Sequence, residues 1–243
     1  MVVDRRISRR ISDRSVAVLD DELNKLLVVQ CHGALLAIAY TGVAVAHQAW
    51  MDCVIADCLA HRKLSPALAQ PSAPLLARPA FALISELKIN LNGALNSDHR
   101  SGLQDLELLI QGWEYGKKRL IPFSCKLTRG PDHPNGNRYF ELKHHPVAKF
   151  LPENPTGLGG ETLGDDGGAM TKALEALRST IGFTHDDVEQ YLRQAVLDRS
   201  RETQTVSPVC VALQLDPKIA DGEAIFTYYP HEASRRGNPL LSP

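Results

Sequence analysis

Three short apolar runs, each tied to a fixed polar or glycine marker, constrain this chain more than any other feature. Val2-Val3-Asp4-Arg5-Arg6-Ile7-Ser8 opens it, Asn24-Lys25-Leu26-Leu27-Val28-Val29 comes second, and Leu36-Ala37-Ile38-Ala39-Tyr40-Thr41-Gly42 comes third. Their valines, isoleucines and leucines read as strands bounded by turn residues. The predicted order is a strand ending in Asp-x-Arg, a second strand opened by a lysine, and a third closed by a turn of a small residue and glycine.

The rest of the chain is long enough to build a core around those strands. With 243 residues and 44% hydrophobic content, one domain over residues 1–230 with a polar tail over 231–243 is expected. The formal net charge is −1, with Arg5, Arg6, Arg9, Arg10 and Arg14 crowded at the start, so no broad basic surface for nucleic acid is predicted. No apolar run reaches the eighteen or so residues of a membrane span, and charges stand where a signal peptide would carry its apolar segment. Five cysteines lack paired zinc spacing and read as reduced, buried thiols, which points to a cytoplasmic protein.

Periodicity places the later elements. Val43, Ala46, Trp50, Cys53 and Val54 give one helical face over 43–61, and Ala80, Ile84, Leu87, Leu91 and Leu95 give another, opened by Pro79 where a missing N–H costs nothing. Residues 106–115, 120–128 and 139–144 read as antiparallel strands. A Gly- and Pro-rich loop over 152–168 leads into a helix over 169–179. Thr184 followed by Asp187 marks a further helix start, and Val188, Tyr191, Leu192, Ala195 and Val196 line its face. Strands return at 208–215 and 224–229. The predicted class is α+β, a four-layer αββα sandwich of antiparallel sheets.

This order, with its Asp-x-Arg, Asn-Lys and Tyr-Thr-Gly markers, resembles the proteasome-type N-terminal-nucleophile (Ntn) hydrolases. In that family a first residue, Thr, Ser or Cys, attacks an amide with its side chain and uses its own α-amine as base. The resemblance implies that Asp4 and Lys25 stand beside the nucleophile and that the turn at Thr41-Gly42 presents a backbone N–H to the developing oxyanion. It also implies peptide or amide substrates, no cofactor or metal, and an oligomer or ring.

The chain departs from that pattern at several points. Only three residues precede Asp4, Met1 and Val2 carry no nucleophilic atom, and Thr41 stands for a glycine. Gly157-Leu158-Gly159 lacks the hydroxyl of the family's Gly-Ser-Gly, and the Asp-x-x-Ser-Gly has no secure match, the nearest stretch being Thr205-Val206-Ser207-Pro208. Self-cleavage before Ser8 or Ser12 would cut away Asp4. The expectation is therefore a proteasome-like chain lacking its first strand and nucleophile and catalytically inactive as given. The alternatives are a threonine-type peptidase or amidohydrolase with a start further upstream, and a noncatalytic assembly or binding subunit.

Other residues have plainer readings. Asp4 with Arg6 suits a surface ion pair, and Lys25 a solvated strand start. His144 and His145 would face opposite sides of a strand with no third ligand at metal spacing. Residues 157–160 lack the Lys-Ser/Thr of a phosphate loop, and no G-x-S-x-G elbow is present.

Overall fold

The computed structural model describes residues 1–4, 7–12, 15–20, 25–31, 34–42, 79–95, 106–115, 120–135, 138–144, 162–163, 168–179, 182–216 and 223–229. The helix expected over 43–61, the Gly157-Leu158-Gly159 turn, His145 and the tail over 231–243 lie outside them. The described elements run β1 (Val2–Asp4), β2 (Ile7–Ser12), β3 (Ser15–Asp20), β4 (Leu26–Cys31), β5 (Ala34–Thr41), α1 (Pro79–Leu95), β6 (Glu107–Tyr115), β7 (Leu120–Arg129), β8 (Phe140–His144), α2 (Ala169–Ser179), α3 (His185–Glu202), β9 (Cys210–Asp216) and β10 (Glu223–Tyr229). The fold is α+β, and its sheets are antiparallel.

Strands β4-β5-β6-β7-β8 form one five-stranded sheet, β1-β9-β10 a three-stranded sheet, and β2-β3 a separate hairpin. That hairpin was not foreseen. In the five-stranded sheet, side-chain alternation divides β5 between two cores. Ala34, Leu36, Ile38 and Tyr40 join Leu108, Ile110, Cys125, Leu127 and Phe140 against α1, whose Ala80, Ile84, Leu87, Leu91 and Leu95 are all buried at the predicted helical spacing. Burial of each large aliphatic side chain contributes about 2 kcal/mol. Two polar contacts fix the helix on this sheet: Glu114 Oε1 accepts the Ala80 N–H at 3.2 Å, and Asn92 Oδ1 accepts the Phe140 N–H at 2.7 Å. His144, at the end of β8, stacks on Phe81 of α1 and meets Phe123 edge-on.

The opposite face of the same sheet carries Leu26, Val28, Ala37, Ala39 and Leu109. These meet Val3 of β1 and Val211, Leu213 and Leu215 of β9, with Met1 and Leu163 packed beside them. The two larger sheets therefore share an apolar gap. Towards β7 this face turns polar, because the register sets Leu109 opposite Lys126 and Gln111 opposite Ser124. Gln111 donates to the Ser124 hydroxyl at 3.3 Å, and Lys126 pairs with Glu107 at 3.2 Å.

Helix α3 packs on β1 and β9 and is partnered by α2. It starts as predicted: the Thr184 hydroxyl accepts the Asp187 N–H at 3.2 Å, and Asp187 Oδ2 accepts the Thr184 N–H at 2.7 Å. These reciprocal bonds satisfy two donors that a helix start leaves free. Its apolar face is only half-buried, and none of its residues is fully buried. A cavity of about 450 Å³ opens between α2 and α3, floored by Ala169, Ala173, Ala176 and Tyr191.

Candidate active site

Lys25 stands one residue before β4 and is fixed there by its backbone. Its carbonyl accepts the Tyr40 N–H at 3.2 Å, which extends the β4–β5 ladder by one rung. The side chain is then carried to the end of β1, where Nζ donates to Asp4 Oδ1 at 3.2 Å and Oδ2 at 3.1 Å. Asp4 Oδ1 also accepts the Ser207 N–H at 3.4 Å. Ser207 is buried, and its hydroxyl accepts the Val209 N–H at 3.0 Å, a local turn that delivers the chain into β9.

Asp4 and Lys25, 21 residues apart in sequence, are thus brought together, and Ser207 joins them from a third segment. The sequence stretch around Ser207 offered only a serine before a proline, with nothing local to say which backbone donor would face Asp4. The β1–β9 register supplies that information, since it sets Asp4 opposite Cys210.

Thr41 ends β5 directly after Tyr40, half-buried and opposite Glu107. Gly42 follows with φ +82°, a left-handed conformation that suits glycine and strains other residues. Thr41 and Gly42 lie at the same end of β5 as Lys25, yet among the described residues no hydrogen bond joins either to the Asp4–Lys25 pair.

The thiol nearest in register is unsuited to attack. Burial pushes the Cys210 thiol up to about 11, with Arg193 opposing and the Asp4 and Glu189 carboxylates adding to the shift. A thiol of that acidity holds almost no thiolate at neutral pH. The Met1 amine donates to the Leu213 carbonyl at 2.9 Å, and burial lowers its proton affinity, partly offset by Glu189. Two strand residues, Val2 and Val3, stand between Met1 and Asp4, about 10 Å at the usual rise.

Antiparallel sheets that share an apolar gap, with helices beside them, define the class as an α+β fold. Solved structures it is similar to include Anbu proteins. An Anbu (Gly-1) mutant from Hyphomicrobium sp. strain MC1 matches with a TM-score of 0.57 at 12% identity, over 96% of this chain and 84% of that one. Anbu (ancestral beta-subunit) from Yersinia bercovieri matches at 0.48 and 13% identity, over 86% and 74%. A helical assembly of the Anbu complex from Pseudomonas aeruginosa matches at 0.42 and 13% identity, over 94% and 75%. At such identities the likeness is one of fold. No protein-family model matches the chain, and no curated protein matches it. The expected membership of the proteasome-type N-terminal-nucleophile hydrolase family, minus its first strand, is corrected accordingly: what stands is a distant likeness of fold to Anbu.

Proposed function

We propose that this chain is a noncatalytic subunit of proteasome-like fold, in which Asp4 and Lys25 act as a clamp between segments rather than as hydrolytic machinery. The observation that carries this reading is the bracing of three segments by one pair. Two N–H groups of the Lys25 ammonium bond the Asp4 carboxylate, which also accepts the Ser207 N–H. Hydrolysis by a nucleophile beside Lys25 needs a hydroxyl or thiol within hydrogen-bond reach of a base. Among the described residues no such group bonds to Lys25 Nζ, and Cys210 is held protonated by burial. Thr41 and Gly42 then serve as the turn that ends β5.

The reading includes the four-layer αββα arrangement. Its supports are α1 on one face of the five-stranded sheet, the shared apolar gap on the other face, and α3 on β1 and β9. It also includes a role in an oligomer or ring and a cytoplasmic location, which the free buried thiols Cys125 and Cys210 suit. Among the described residues no helix is long and apolar enough to cross a membrane.

The test is turnover of a panel of fluorogenic peptide amides by the natively produced protein and by Lys25→Met, compared at equal folded fraction. The expected result is no turnover by the parent above that of the variant. Turnover by the parent that disappears in a folded Lys25→Met protein would replace the clamp reading with that of an amide hydrolase.

A further inference from the structure

The connection entering α2 touches the five-stranded sheet at one described point, Thr162-Leu163, and does so at the boundary between the apolar and polar halves of its inner face. Leu163 packs against the cluster that includes Leu26, Ala37, Ala39 and Leu109. The Thr162 carbonyl, one residue earlier, accepts a hydrogen bond from Lys126 Nζ at 3.1 Å. Lys126 is held in turn by Glu107 at 3.2 Å, with side-chain exposures of 19% for Lys126 and 31% for Glu107. Glu107 lies opposite Thr41 in the β5–β6 register. The two contacts of this short segment differ in kind: the leucine is held by burial, and the carbonyl by a cation whose position the sheet sets.

We propose that Lys126 is a latch, a positioning residue that holds Thr162-Leu163 over the Leu109 side of the apolar cluster shared by the two sheets. A backbone carbonyl gains more from a charged donor than from a neutral one. The Lys126 side chain is the element of this contact supplied by the rigid sheet. Leucine burial alone would hold the segment less firmly, because one side chain can leave the gap without disturbing a ladder hydrogen bond.

The test is the rate at which a maleimide labels the thiol introduced by Leu163→Cys, read peptide by peptide by mass spectrometry, with and without Lys126→Met. Cys125 and Cys210, both buried, serve as internal references in the same molecules. The expected result is slow labelling at position 163 that accelerates about tenfold when Lys126 is lost, the scale of one charge-assisted hydrogen bond. Lys126→Arg, which keeps a cationic donor, restores slow labelling, and Arg201→Met at the exposed Asp198 pair of α3 leaves the rate unchanged. The proposal is overturned by an unchanged rate in Lys126→Met. Labelling at position 163 that is already as fast as a free thiol overturns it too. So does a common acceleration of positions 125, 163 and 210, which reports general loosening rather than a latch.

Discussion

Replacing Lys25 with methionine keeps the length and apolar stem of the side chain but deletes the ammonium that both Asp4 oxygens accept. Breaking a fully buried ion pair costs about 3–5 kcal/mol, and an exposed pair is worth only about 0.2–1 kcal/mol. Side-chain exposures of 11% for Lys25 and 22% for Asp4 place this pair between those limits, nearer the buried one. Asp4 keeps the Ser207 N–H, which softens the loss. The expected destabilisation is therefore about 2 kcal/mol. For a chain of this size that corresponds to a fall in thermal midpoint of about 4–8 °C. The double variant Lys25→Met/Asp4→Leu removes the stranded charge as well and should recover about half of the loss. Thermal and urea unfolding followed by circular dichroism, arranged as a double-mutant cycle, measure both quantities. A single variant within about 0.5 kcal/mol of the parent, or two strictly additive substitutions, would refute the clamp reasoning.

Three further outcomes follow from the same contacts. Gly112→Ala should destabilise by about 1–3 kcal/mol, since a Cβ there would lie 2.1 Å from the Leu35 carbonyl oxygen and force β5 and β6 apart; an unchanged thermal midpoint contradicts it. Glu114→Ala strands the buried Ala80 N–H at the start of α1 and should cost about 2 kcal/mol in urea unfolding, with Glu114→Gln losing less because an acceptor oxygen remains. Hydrogen bonds from the Thr184 backbone and side chain hold the Asp187 carboxyl below its usual value. A carboxyl depressed on folding contributes stability that is fully present above its unfolded pKa of about 3.9 and is lost as pH falls through the lower folded value. Thermal midpoints taken between about pH 5 and pH 2 should therefore fall less steeply in Asp187→Asn than in the parent.

Local features were legible in the sequence where one element alone decides them. The spacing of Ala80, Ile84, Leu87, Leu91 and Leu95 pointed to a buried helical face, and all five are buried against the sheet. The Thr184–Asp187 box pointed to the start of α3, and both of its hydrogen bonds are present. What the sequence hid was non-local. The pairing of Ile7–Ser12 with Ser15–Asp20 had no clear strand pattern to announce it, since Arg9 and Arg10 interrupt the first strand with two consecutive charges. The apolar spacing on α3 promised a buried face, but with α2 as partner that face is only half-buried.

The candidate site divides in the same way. Asp4, Lys25, Thr41 and Gly42 were singled out by a resemblance in order, and the contact between Asp4 and Lys25 depends on β1 lying beside β9 while Lys25 belongs to the other sheet. Ser207 could not be assigned because its contribution is a backbone N–H, which any residue but proline possesses. Its placement depends on the register Asp4↔Cys210 and on the turn that its own hydroxyl closes.

The most direct test of the noncatalytic reading is the intact mass of the natively produced protein after incubation with a β-lactone, an electrophile that acylates activated hydroxyl and thiol nucleophiles. The same spectrum reports the mass of the mature chain. The clamp predicts no adduct that depends on Lys25, with identical spectra for the parent and a folded Lys25→Met variant. A single stoichiometric adduct on the parent that is absent from the variant would show a nucleophile working beside Lys25 and would contradict the reading.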